Sequence, residues 1–192
     1  MEENKLTNSP GKVIVIGGSA GALSVVLQIV HRLRRDMSLS MLIVLHRKAS
    51  DDNVLIDVLT SRTEFAVKEV DDKDELAPGT IYVAPADYHV LVERDNSLTL
   101  DDSEKVNYSR PSIDVTFESA ADIYGPSLIG VLLSGANADG VAGLLRTKAK
   151  GGKVVIQDPE SAEFMYMPRV AMDQVKPDLV LTDKNIEALF EL

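Results

Sequence analysis

The sequence predicts an α/β fold: a doubly wound, mainly parallel sheet with helices on both faces and one antiparallel hairpin. Three observations carry that expectation. Apolar runs such as Val13-Ile14-Val15-Ile16, Met41-Leu42-Ile43-Val44-Leu45 and Val131-Leu132-Leu133 show no polar alternation, which suits strands buried on both faces. Amphipathic segments at helical spacing separate these runs, and strands alternating with helices assemble into a parallel sheet. Glycine-rich turns, above all Gly17-Gly18-Ser19-Ala20-Gly21, stand where strand gives way to helix.

Residues 1–11 read as a polar, flexible leader and 12–192 as one domain. The first buried strand is followed by a helix with Leu23, Val26, Leu27, Val30 and Leu33 on one stripe. Residues 41–46 form a second buried strand that closes on His46. A helix over 51–62 buries Val54, Leu55, Val58 and Leu59, and 65–70 is a short strand. The acidic stretch 71–75 is a solvated turn. Pro78-Gly79 marks another turn, ahead of a strand over 80–84. Residues 89–94 and 97–100 flank Asp95-Asn96 as a hairpin. Arg110-Pro111-Ser112-Ile113-Asp114 opens a helix running to about Tyr124, with proline and serine in its first positions. A buried strand over 127–133 ends in Ser134-Gly135-Ala136-Asn137-Ala138-Asp139-Gly140, a second small-residue loop, which leads into a helix over 141–150. Gly151-Gly152 stops that helix. A strand over 153–157, a short helix from Met167, a strand over 179–181 and a closing helix over 183–192 complete the chain.

At 192 residues the chain suits one domain with a sizeable core. Its net charge of −10 argues against a nucleic-acid partner, which wants a basic face, and against docking on anionic membranes. The first residues lack the basic-then-apolar pattern of a signal peptide, and no apolar run approaches the ~20 residues that span a bilayer. The expectation is a cytoplasmic protein with no membrane insertion. With no cysteine there is no disulfide, thiolate ligand or cysteine nucleophile, and no histidine spacing suits a metal; neither metal nor cofactor is expected.

The turn at 17–21 fits a Gly-x-Ser-x-Gly elbow, which lifts a serine hydroxyl above the carboxyl edge of a sheet. Two blander readings stay open: a phosphate cradle, or glycines that let a helix pack closely. The dinucleotide fingerprint fails on spacing, and no Gly-Lys-Ser/Thr ending is present. A serine nucleophile needs a base, and the base an orienting carboxylate. His31 lies mid-helix and reads as packing or surface. His46 ends a buried strand on the edge that carries Ser19 and is preferred to His89, which suits either a site rim or a turn-stabilising bond. Asp139 stands out because it sits in a small-residue loop after a buried strand, although an Asp there also serves as a helix N-cap; Asp87 is its competitor.

These residues carry a resemblance. Val15-Ile16-Gly17-Gly18-Ser19-Ala20-Gly21, the strand ending at His46, Pro78-Gly79-Thr80-Ile81-Tyr82-Val83-Ala84-Pro85 through His89, Arg110 through Phe117, Leu133 through Gly140, Gln157-Asp158 and Met167-Pro168 resemble the catalytic domain of the chemotaxis protein-glutamate methylesterase family over about 12–190. The resemblance implies a doubly wound α/β sheet with a triad of Ser19, His46 and Asp139. It implies hydrolysis of glutamyl methyl esters on methylated chemoreceptor cytoplasmic helices, with deamidation of certain glutamines alongside. Backbone N–H groups around Ala20, Gly21, Gly135, Ala136 and Asn137 are the expected oxyanion donors, with His89 and Arg110 on the substrate side. Arg47 and Lys48 would join Arg110 in a basic patch, or be solvated charge. Two departures stand out: Ala22 where the family has glycine, and Gly135-Ala136-Asn137 where it has Gly-Met-Gly, so that Asn137 is expected in a left-handed conformation. Many members also carry a phosphorylatable receiver domain, which these residues do not encode; the expectation is a free-standing esterase or a domain of a longer protein. The alternative is a binding module of the same fold that docks a partner without turnover, with a nucleotide-binding enzyme ranked last.

Overall fold

Seven parallel strands run through the middle of the molecule, and the chain winds outward from one of them in both directions. A computed structural model describes residues 11–47 and 54–192. In chain order the elements are β1 (Val13–Gly18), α1 (Leu23–His31), β2 (Ser40–Leu45), α2 (Val54–Thr60), β3 (Ala66–Glu69) and β4 (Thr80–Val83). They continue as β5 (His89–Val92), β6 (Leu98–Asp101), α3 (Ile113–Tyr124), β7 (Leu128–Leu132), α4 (Val141–Ala149) and β8 (Lys153–Gln157), and end in α5 (Tyr166–Gln174), β9 (Leu179–Leu181) and α6 (Ala188–Glu191). The sheet order is β3-β4-β2-β1-β7-β8-β9, while β5 and β6 form a separate antiparallel pair. The doubly wound parallel sheet and the hairpin are both present. The leader falls almost wholly outside the described residues, as do Lys48 and the start of the expected 51–62 helix.

Period-two alternation divides the core into two layers. Val13 and Val15 join Phe117, Ala120 and Leu144 on the face covered by α3, α4, α5 and the hairpin. Ile14 and Ile16 join Val26, Ile29, Val30, Leu59 and Leu189 on the face covered by α1, α2 and α6. Every residue of β1, β2 and β7 is buried, as continuous apolar runs in a two-faced sheet require. On α1 the buried stripe is Val26, Ile29 and Val30, whereas Leu23 lies at the exposed start of the helix.

Two differences from expectation have local causes. The closing helix is only α6, four residues long. Ahead of it, Asn185 Oδ1 accepts the Thr182 N–H at 2.7 Å and its amide donates to the Val180 carbonyl at 2.9 Å, a side-chain pattern that competes with helix formation. The acidic turn is exposed but not idle. Asp74 pairs with Lys68 at 2.8 Å, and Asp72 accepts the Leu100 N–H at 3.0 Å, tying the turn to the hairpin. Among the described residues, no helix is long and apolar enough to cross a membrane.

The winding reverses at β1. On one side the chain makes β2, then the edge strand β3, then β4 between the two, and it returns through β7, β8 and β9 on the other. In open α/β sheets such a reversal leaves a crevice at the carboxyl ends of the strands. Ser19, His46 and the 134–140 loop follow β1, β2 and β7, so all three begin at that edge.

Candidate active site

Ser19 and His46 follow neighbouring strands in register. Gly18 faces Leu45, and the His46 N–H donates to the Gly18 carbonyl at 3.1 Å. Parallel strands run about 4.8 Å apart, so the two side chains start from adjacent points on one sheet edge. The glycines before the serine are there for space. A Cβ on Gly17 would stand 2.3 Å from Ile113 Cγ2, and one on Gly18 would stand 2.5 Å from the Ala22 Cβ. The first lets the start of α3 reach the site; the second lets α1 close on its strand.

The serine turn is locked to the loop after β7. The Ser19 N–H donates to the Ser134 carbonyl at 2.9 Å. The Ser134 hydroxyl donates to the Ala20 carbonyl at 2.8 Å and accepts the Phe164 N–H at 2.9 Å. Ser19 is half-buried, and its hydroxyl makes no hydrogen bond among the described residues.

Asp139, fully buried, meets His46 and not Asp87's neighbour His89. His46 Nε2 lies 2.8 Å from Asp139 Oδ2. That oxygen also accepts the Ile113 N–H at 2.7 Å, while Oδ1 accepts from the Ser112 hydroxyl at 2.9 Å, the Asn107 amide at 3.0 Å and the Asp114 N–H at 3.2 Å. The carboxylate therefore sits at the N-terminus of α3, where free N–H groups and the helix dipole favour negative charge. Burial pushes the Asp139 carboxyl up, but the hydrogen bonds from His46, Asn107, Ile113 and Asp114 outweigh it and hold it below the usual carboxylate range.

An ionised carboxylate only accepts, so Nε2 carries the proton and Nδ1 is left as the acceptor. The Asn137 amide lies 3.3 Å from that Nδ1, and its Oδ1 accepts the Asp139 N–H at 3.1 Å. The connectivity is reversed from the serine-protease arrangement, in which Nδ1 meets the carboxylate.

A second carboxylate lies behind the first. Asp114 is almost buried and shares the Asn107 amide with Asp139, accepting from it at 2.8 Å, and takes the Gly143 N–H at 2.7 Å. Burial pushes its carboxyl up to about 6, with the charge of Asp139 adding to the shift. Of the two, Asp114 is the first to take up a proton as pH falls, and Asp139 keeps its charge to lower pH.

Several expected substrate-side groups are otherwise engaged. The Gly135 N–H donates to the Phe164 carbonyl at 3.1 Å, which removes it as an oxyanion donor. Ala20, Gly21, Ala136 and Asn137 keep N–H groups without a hydrogen bond among the described residues, and Ala20 and Ala136 are exposed. Gly21 has the positive φ of a sharp turn, +77°; Asn137 has no positive φ, so the left-handed expectation for it fails. His89 is buried, takes the Ser112 N–H on Nδ1 at 3.0 Å and donates from Nε2 to the Glu104 carbonyl at 3.0 Å. Both its nitrogens are occupied, so it braces the start of α3 and leaves nothing for a substrate. The Arg110 guanidinium holds the carbonyls of Asp102 and Ser103, and that of Arg47 holds the Glu69 carboxylate. The expected basic patch is thus tied up in internal bonds, with Lys48 outside the described residues.

Two shallow recesses flank the His46–Asp139 pair. One, of about 320 Å³, is lined by His46, Arg47, Asp87, Lys105, Tyr108 and Arg110. The other, of about 350 Å³, is lined by Asn107, Tyr108, Ala136, Asn137, Asp139 and Tyr166. Tyr108 stands between them, 98% exposed. Among the described residues no group of three acidic or histidine side chains is placed to hold a metal ion. Ser112 and Asp114 lie in the Arg110–Phe117 stretch and Ser134 in the Leu133–Gly140 stretch, with no site role expected for any of the three, and nothing in the sequence points to Asn107.

This geometry accords with what the chain is similar to. The CheB methylesterase family profile matches residues 14–190. A Leptospira interrogans protein named as a putative protein-glutamate methylesterase/protein-glutamine glutaminase is 41% identical over 179 residues, covering 93% of each chain. A Thermotoga maritima protein-glutamate methylesterase/protein-glutamine glutaminase is 34% identical over 186 residues; the match covers 95% of this chain and 54% of that longer relative. The crystal structure of the Thermotoga maritima CheB methylesterase catalytic domain superposes with a TM-score of 0.90 over 94% of this chain and 98% of that one. The chain belongs to the CheB methylesterase family.

Proposed function

We propose that the chain is a serine hydrolase that removes methyl groups from glutamyl methyl esters on the cytoplasmic helices of chemoreceptors, and deamidates receptor glutamines at the same site. The observation that carries this reading is the 2.8 Å contact between His46 Nε2 and Asp139 Oδ2, at the sheet edge where the glycine turn presents Ser19.

In this reading His46 Nδ1 takes the proton of Ser19 as Oγ attacks the ester carbonyl carbon. Asp139 holds the ring in the tautomer with its proton on Nε2, and favours the imidazolium that forms. Charge developing on the carbonyl oxygen is met by the N–H of Ala20, next after the nucleophile, and by N–H groups of the 136–137 stretch. Loss of one such donor typically costs about 10²–10³ in rate. The imidazolium returns its proton to the leaving methoxide, methanol departs, and an acyl-Ser19 remains. A water deprotonated by His46 then cleaves the acyl bond, freeing the glutamate carboxylate and restoring the Ser19 hydroxyl. With glutamine the leaving group is ammonia.

Methanol release from a methylated receptor fragment tests the proposal. The native chain is expected to release methanol, and Ser19→Ala, His46→Ala and Asp139→Asn to lose most of that activity while staying folded. Full turnover in Ser19→Ala would show that the nucleophile is another group. Undiminished receptor binding by a native chain that releases no methanol would make it a binding module.

A further inference from the structure

We infer that Asn137 is a positioning residue that holds the base closed at rest: its amide occupies the one nitrogen of His46 able to take the Ser19 proton. The inference rests on His46 acting as base to Ser19, and adds a competitor for that role.

The orientation of the amide follows from the structure. Asn137 Oδ1 accepts the Asp139 N–H at 3.1 Å, which turns Nδ2 toward His46 Nδ1 at 3.3 Å. On the far side of the ring Nε2 donates to Asp139 Oδ2. An imidazole nitrogen without a proton has a single lone pair, so it accepts from Asn137 or from Ser19, not from both. The Ser19 hydroxyl correspondingly has no hydrogen bond to His46.

The contact cannot survive proton transfer. Once Nδ1 carries the Ser19 proton it is itself a donor, and a donor amide facing it is repelled. Asn137 must therefore swing away before or during attack, and the reaction loses the worth of that bond. Water admitted in place of the amide would exchange freely, whereas the side chain is tethered to its own loop by the Asp139 N–H. Asn137 also lines the recess that holds Tyr108 and Tyr166, so a ligand entering there meets the same side chain.

The test measures the rate of Ser19 labelling by a fluorophosphonate, resolved into reversible affinity and the first-order inactivation constant. In that reaction the Ser19 oxygen bonds to phosphorus, the P–F bond breaks, fluoride leaves and His46 takes the hydroxyl proton. Two variants remove the amide. Asn137→Gly deletes the side chain; Asn137→Ser keeps a short oxygen able to take the Asp139 N–H. Both are expected to raise the first-order inactivation constant about 2- to 10-fold, the factor that one net hydrogen bond represents. A purely structural role predicts a first-order constant that is unchanged or lower. If either folded variant labels no faster than the native chain, with Ser19→Ala inert, the inference is overturned alone. If Ser19→Ala labels at the native rate, the nucleophile assignment falls and takes this inference with it.

Discussion

Asp139 Oδ2 bridges His46 Nε2 at 2.8 Å and the Ile113 N–H at 2.7 Å, so one oxygen both orients the imidazole and caps a helix. The expected cap on the helix that follows Asp139 is absent, since Gly140 starts α4 with no side-chain cap; the carboxylate instead receives the N-terminal N–H groups of α3. Helix α3 supplies fixed donors that keep the carboxylate charged, and the charged carboxylate fixes the tautomer of His46.

That double duty predicts a double loss. Asp139→Asn replaces an acceptor by an amide whose NH₂ must face a donor. Esterase activity should fall by about 10⁴-fold, the loss reported for unsettling the orienting carboxylate of a serine triad. Stability should fall by about 1–3 kcal/mol, the cost of leaving a buried donor unmatched. Methanol release and urea unfolding measure the two losses; a variant that loses activity alone would separate the roles again.

Asp114 should make stability depend on pH. Its folded value near 6 lies above the ~3.9 of an unfolded Asp, so the folded state keeps a proton that the unfolded state has released. The contribution is present below about pH 4 and is lost as pH rises through 6, for a total of about 1–3 kcal/mol. Asp139, held low, acts oppositely: its contribution is present above about pH 4 and is lost as pH falls through its lowered folded value. Unfolding free energies of the native chain and Asp114→Asn between pH 4 and 8 isolate the first effect. The variant should gain relative to the native chain across that window; a pH-independent difference would refute the assignment.

A side chain at Gly135 should press on the tip of Met167 and on Ser19. An added Cβ would stand 2.6 Å from the Met167 Cε, 2.7 Å from its sulfur and 3.1 Å from the Ser19 Cβ. Gly135→Ala is expected to cost about 1–3 kcal/mol by overpacking and to lower kcat by displacing Ser19. Met167→Ala alone should cost about 2–5 kcal/mol, since Met167 is fully buried. The double variant should lose less than the sum, because each change relieves the other. Additive losses in a double-mutant cycle would show that the two sites do not press on each other.

The backbone of this protein was legible because its signals are local. Uninterrupted apolar runs at 13–16 and 41–45 are short, rich in β-branched residues and bounded by turns, which favours strands covered on both faces over buried helix, and the turns between them are written in glycine and proline. The positions of Ser19, His46 and Asp139 followed from strand ends sharing one edge. What stayed illegible depends on long-range partners. His89 lies in a hairpin start like many rim residues, and only packing under the 102–109 loop reveals that Ser112 and Glu104 take both its nitrogens. Gly135 looked like an oxyanion donor until the Phe164 carbonyl came to meet its N–H. Asn107, 32 residues from Asp139 in the chain, reaches it across a loop that has no periodic pattern. The closing helix starts later than expected, at Ala188, because Asn185 bonds its neighbours ahead of it.

The most direct test of the account is to map the covalent adduct. The chain is treated with a fluorophosphonate, digested, and the modified peptide sequenced by mass spectrometry, in parallel with His46→Ala. A single adduct on Ser19, formed far more slowly without the His46 imidazole, is the predicted result. An adduct on another residue, or native-rate labelling of Ser19 in His46→Ala, would contradict it.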